Sequence, residues 1–210
     1  MDEVDRISKA LTLVEKYESY LFRRAWGVTL IIFAIVIPLT ALLNLLAPSI
    51  APYIGMSAES FILLSSIITW IIGISLIFYS FASASKISSR QHQFSFRKEM
   101  PHIIAIMLIW IISFTLLNFA PEPVEVVANL WAAGIACILT YIVLKSVPTH
   151  ANYPEIALVG FILLIASLIV LFITDMAIAE LITIVVFALS FLVGGLYSIL
   201  TASKVLTKIE

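Results

Sequence analysis

The sequence predicts an all-α integral membrane protein: a bundle of six transmembrane helices, built as three hairpins and preceded by an amphipathic helix on the cytoplasmic side. Three observations carry that prediction. The 210-residue chain is 62% apolar with a mean hydropathy of +1.13, against about 45–50% apolar in a soluble domain. Its apolar residues gather in runs of about 20, the length that crosses a ~30 Å hydrocarbon core as a helix. Its 12 Lys and Arg residues all fall on one side of the spans those runs define. A soluble core has room for one such helix but not six, and continuous rather than alternating runs exclude a β-barrel.

The spans are residues 25–47, 60–82, 102–119, 126–147, 156–174 and 181–203. Each is expected to be helical, because lipid offers no partner to an unpaired backbone group. Pro38 frees the carbonyl of Ala34 and predicts a kink in the first span. Short connections leave no room for a separate soluble domain. The organisation is therefore a cytoplasmic helix over residues 1–24 and a membrane domain over 25–210, with hairpins at about 25–82, 102–147 and 156–203.

Charge sets the orientation. Arg6, Lys9, Lys16, Arg23 and Arg24 precede the first span, Lys86, Arg90, Arg97 and Lys98 follow the second, Lys145 follows the fourth, and Lys204 and Lys208 follow the sixth. The other side carries Glu59, Glu122, Glu125, Asp175 and Glu180. The positive-inside rule then places both termini in the cytoplasm of a cell whose plasma membrane holds the protein. A net charge of −1 conceals these two faces and gives no reason to expect nucleic acid. The charged first 24 residues do not read as a cleavable signal, so the first span is expected to direct insertion. The single cysteine, Cys137, excludes an intrachain disulfide and reads as a small packing residue. Abundant Ile with few Gln and Asn points to a prokaryote, with a thermophilic archaeal flavour.

Two stretches echo each other: Trp70 to Tyr79, WIIGISLIFY, and Trp131 to Tyr141, WAAGIACILTY. Phe191 and Gly194 repeat the aromatic-x-x-Gly spacing in the sixth span, and Tyr79, Tyr141 and Tyr197 each precede a Lys. The first and third spans end LLNLLAP and LLNFAP. These matches predict duplication of a two-helix unit as a parallel repeat. Gly73, Gly134 and Gly194 are expected to admit a neighbouring helix closely. Trp70, Trp131 and Phe191, one turn earlier, are expected either to pack beside that gap or to wall a pocket. Interfacial Tyr–Lys ends alone need no such explanation.

Ionisable residues inside a membrane are costly and mark pumps and coupled transporters. The spans hold none near mid-depth, which argues against both. The polar residues within the spans are few, Asn44, Asn118, Asn129, Thr115, Thr140 and scattered serines, and the three asparagines are left as interhelical glue or pocket groups. His92, His102 and His150, with Glu99 and Glu155 nearby, lack the spacing of a metal site. No phosphate loop, nucleophile elbow or paired carboxylates appear, so neither catalysis nor a cofactor is expected.

The leading segment places Val4, Ile7, Leu11, Val14 and Leu21 at a- and d-type spacing, interrupted by Glu18. With acids nearly as numerous as bases, the stripe fits a protein partner better than anionic lipid. The expected function is a non-catalytic subunit or accessory component of a larger membrane complex, with lipids and a protein partner or a second copy as neighbours. The alternative is a small facilitator or exporter of an uncharged or lipophilic solute.

Overall fold

The computed structural model describes residues 3–88, 96–116, 122–146 and 153–207. Every regular element among them is helical: α1 (Glu3–Ile50), a 3-10 turn (Ala51–Ile54), α2 (Ala58–Ser88), α3 (Phe96–Thr115), α4 (Glu122–Lys145), α5 (Pro154–Val170), α6 (Met176–Ala202) and α7 (Lys204–Thr207). Within them, α1, α2, α4 and α6 are long and apolar enough to cross a bilayer. The apolar stretches of α3 and α5 are shorter, Ile104–Ser113 and Pro154–Val170. The outward faces are apolar too, as at Ile71, Phe78, Ile165 and Leu200. Together these features are compatible with a membrane location for a helical bundle.

The amphipathic leader and the first apolar run are one helix. α1 has 48 residues, about 72 Å of length at 1.5 Å per residue, and it continues through Pro38 and Pro48. The residue 24 boundary is a change of environment, with no break in the backbone. After α1 the chain reverses at Gly55, which has φ +68 and donates its N–H to Pro52 O. That left-handed backbone is cheap only for glycine. The Ser57 hydroxyl then accepts from the Ser60 N–H to start α2.

The second tight reversal differs from the sequence expectation. The fifth span was read to residue 174, but α5 ends at Val170 and the chain turns at residues 171–172. Asp175 begins α6, its carboxylate accepting from the Ile178 N–H at 3.2 Å. This acid caps a helix.

α1 lies at the centre, packed on α6 and α2. α6 continues to α5 and α4, and α4 packs on both α5 and α3. Two seams bring backbones together. A Cβ on Gly27 of α1 would lie 2.9 Å from Gly195 O of α6, and one on Gly195 would lie 2.7 Å from Gly27 O. Gly134 of α4 and Gly160 of α5 stand in the same reciprocal relation, at 3.1 and 2.7 Å. Only glycine fits such contacts. The core between the seams is fully buried at Leu130, Val159, Leu163 and Phe191. Among the described residues, α2 touches only α1 and the 3-10 turn, and α3 touches only α4. The helices thus form a ring left open between α2 and α3.

Candidate functional site

Inside the open ring lies a cavity of about 1290 Å³, walled by α1, α2, α3, α4 and α6. Its body is aromatic. Phe33 of α1 sits between Trp70 of α2, at 6.3 Å between ring centroids, and Phe191 of α6, at 5.9 Å. Phe187 stacks on Phe191 one turn away. Toward the start of α1, Trp26 packs edge-on against Phe81, with centroids 5.4 Å apart. Toward the other end the wall becomes polar, with Asn44, Glu125, Asn129, Glu180 and Thr183.

The helix period explains how one strip of α6 supplies both characters. Glu180, Thr183, Phe187 and Phe191 recur at spacings of three and four and so share a face. All four line the cavity. The Thr183 hydroxyl itself is shielded from the cavity space and has no hydrogen-bond partner. At the far side of the cavity Thr140 is engaged, accepting the Trp110 indole N–H at 3.1 Å.

The residues singled out from sequence divide between wall and seam. Trp70, Phe191, Asn44 and Asn129 line the cavity. Asn44 Oδ1 lies 3.5 Å from the Ser66 hydroxyl, and Asn129 donates to the carbonyl of Glu125 at 3.0 Å. Asn118 lies outside the described residues. Trp131 is off the cavity and donates its indole N–H to Ser167 of α5 at 2.7 Å. Gly73 faces Val36 of α1, Gly134 faces Leu164 and Gly160 of α5, and Gly194 faces Val159 of α5. Gly73 and Gly194 therefore meet the partner within their own predicted hairpins, while Gly134 meets the next one.

A second polar cluster ties the start of α1, the start of α5 and the end of α6. Glu155 is fully buried, and its Oε1 accepts from the Ser198 hydroxyl at 2.6 Å. Its Oε2 stands 3.4 Å from the Arg23 guanidinium, long for a charge-assisted bond. The short serine bond therefore fixes the carboxylate, and Arg23 mainly neutralises it. Arg23 Nε is buried without a partner. Beside them Tyr153 is buried against Trp26, at 5.6 Å between centroids. Burial pushes its phenol up and Glu155 adds to the shift, while Arg23 and a hydrogen bond with Trp26 partly offset it. Sequence reading placed Arg23 with the flanking bases and Glu155 beside the histidines. The signal for Glu155 was a Pro-Glu pair opening an apolar run, the mark of a helix start.

On the projecting part of α1, Ile7, Leu11 and Val14 are exposed, as are Leu13 and Tyr17. Leu21 is half-buried near the bundle, where α7 packs on α1, and the Val4 side chain lies outside the described part. His92 and His150 also lie outside the described residues. Among those described, no three His, Cys, Asp or Glu side chains converge as metal ligands.

No family model matches the chain, no curated protein is similar to it, and no solved structure shares its fold at a significant level. Any functional reading must therefore come from the site itself.

Proposed function

We propose that this chain is a six-span, non-catalytic plasma-membrane protein that admits a lipophilic solute between α2 and α3, as a small facilitator or exporter. The observation carrying this reading is the cavity of about 1290 Å³ with an aromatic body, one polar end and a side open between two helices that do not touch among the described residues. Ligand pockets typically combine a mostly apolar wall with a few polar groups that orient the guest. In a bilayer, a gap between helices is an entrance for whatever dissolves in the lipid. α3 and α5 complete the six spans, α5 reaching about 26 Å by helical rise and the turn after it extending that length. Basic flanks put both termini in the cytoplasm and the Glu125–Glu180 end outside. Duplicated hairpins remain the simplest source of the Trp-x-x-Gly echo.

The test uses the full chain in lipid vesicles, with a fluorescent apolar probe that partitions into membranes. Trp26, Trp70 and Trp110 line the cavity, three of the chain's four tryptophans. Binding should therefore give energy transfer from tryptophan to probe, strongly reduced when Trp26, Trp70 and Trp110 all become Phe and saturable by an unlabelled competitor. Transfer unaffected by the three changes sinks the reading.

A second reading, a subunit docked to a larger complex, is favoured by the exposed Ile7, Leu11 and Val14 on the projecting helix. Leu11→Glu with Val14→Glu should release a co-purifying protein without altering helical content. A complex that survives both changes removes this reading.

A further inference from the structure

We infer that the solute is a membrane lipid, lying along the bundle axis with its hydrocarbon chains inside the cavity and its head group at the Asn44–Asn129 end. This rests on the solute-binding reading above and names the substrate class. Shape comes first. α1 lines the cavity on every turn from Trp26 to Leu45. That is about 28 Å of helix at 1.5 Å per residue, close to the ~30 Å depth of a hydrocarbon core. The volume of about 1290 Å³ spread over that length leaves a mean width of about 8 Å. A helix of a partner or a second copy, about 10–12 Å across with its side chains, is too thick for such a space. A compact solute of ordinary pocket size, about 300–1,000 Å³, leaves part of it unfilled. Flexible hydrocarbon chains match both dimensions.

Something must fill the space. The cost of a void grows with its volume, and one this large would outweigh the net stability of a fold. A buried water needs about two to four polar partners, which Leu30, Phe33, Ile37, Trp70, Phe187 and Phe191 do not provide. The two walls beside the opening are each anchored away from the other. α2 is held to α1, where Val36 seats against Gly73, and α3 to α4, where Trp110 donates to Thr140. The edges of the opening are apolar at Ile74, Ile77, Ile106 and Ile111, so acyl chains can enter sideways at their own depth. The two ends then set the direction. At one, Trp26 packs on Phe81 of α2 and on Tyr153 at the start of α5, and these rings form a floor. At the other, Asn44 of α1 and Asn129 of α4 bring amides to the wall, groups that pair with the ester and hydroxyl oxygens of a lipid head. Chain ends belong at the rings and the head at the amides.

The experiment reads contact quenching of tryptophan by nitroxides, with the full chain in non-ionic detergent. Two single-tryptophan chains are compared, one retaining Trp70 in the cavity and one retaining Trp131 outside it, the other tryptophans being Phe. The two rings are almost equally exposed, 37% and 40%, so surface lipid reaches both alike. Phosphatidylcholine with a doxyl group near the end of one chain should quench Trp70 to saturation at about one lipid per protein. That quenching should exceed the effect at Trp131 at least about three-fold, because a pocket surrounds its guest. Phosphatidylcholine with the nitroxide on its head group should quench Trp70 no more than Trp131. Equal quenching of both rings by the chain-labelled lipid, or saturable quenching of Trp70 by the head-labelled one, overturns the lipid assignment. A compact nitroxide, 4-hydroxy-TEMPO benzoate, separates the two claims. If it alone quenches Trp70 saturably, the solute-binding reading stands without the lipid; if neither it nor the lipid does, both fall. The unaltered chain gives a check that needs no variant. Native mass spectrometry after addition of phosphatidylcholine should show a retained lipid, and a bare chain overturns the assignment.

Discussion

Where α4 meets α5 the backbones touch through Gly134 and Gly160, whereas among the described residues α2 and α3 face each other across the open side of the cavity with no contact between them. The difference teaches what holds helices together in lipid. Acyl tails solvate Leu and Ile as well as a neighbouring helix does, so association depends on close backbone approach and interhelical hydrogen bonds. The α4–α5 seam has both, since Trp131 donates to Ser167 across it. α2 has one glycine, Gly73, and uses it against Val36 of α1. Toward the cavity it presents Ile74 and Ile77, and α3 presents Ile106, Met107 and Ile111. Nothing there competes with lipid, so separation costs little.

The largest break should come where the closed side is pinned by charge. Arg23→Met leaves the fully buried Glu155 without its counter-charge and should destabilise the bundle by about 3–5 kcal/mol. Adding Glu155→Leu should recover most of it, because the penalty belongs to the unpaired charge. Thermal unfolding of both variants in detergent reads this directly, and a single variant as stable as the double one contradicts it. Next comes the seam. Gly160→Val sets a side chain against Gly134 O and should cost at least about 1–3 kcal/mol. Smaller again is Trp131→Phe, which removes only the bond to Ser167 and should cost about 0.5–1.5 kcal/mol.

The helices were legible in the sequence because lipid permits few alternatives: an apolar run of about 20 residues must pair its backbone internally. Their neighbours were not. The Trp-x-x-Gly echo correctly marked small residues, yet nothing in it distinguishes Gly134 meeting α5 from Gly134 meeting α3. Gly27, Gly160 and Gly195 escaped notice because each is informative only beside its partner on another helix, 26 or more residues away. Asp175 was read only as one of the acids opposite the basic side, although an acid before an apolar run is also a cap signal. The cavity was the least legible feature. It arises from which helices fail to pack, and two of the five residues of its polar strip, Glu180 and Thr183, join the wall only once α6 is turned toward α1 and α4.

That strip offers the finest contrast, one substitution made at two ends of the same cavity. Thr140 and Thr183 are both buried, but Thr140 accepts the Trp110 N–H while the Thr183 hydroxyl has no partner. Replacing Thr by Val keeps the shape and deletes the hydroxyl. At Thr140 this strands an indole N–H and should cost about 0.5–1.5 kcal/mol. At Thr183 it removes a polar group that folding buried without compensation, so the empty protein should be unchanged or more stable by up to about 1 kcal/mol. A group present for packing alone would behave the same at both places. Opposite signs in thermal unfolding identify one hydroxyl that is engaged and one that is buried without a partner. A loss of stability at Thr183 equal to that at Thr140 means its hydroxyl has a partner after all.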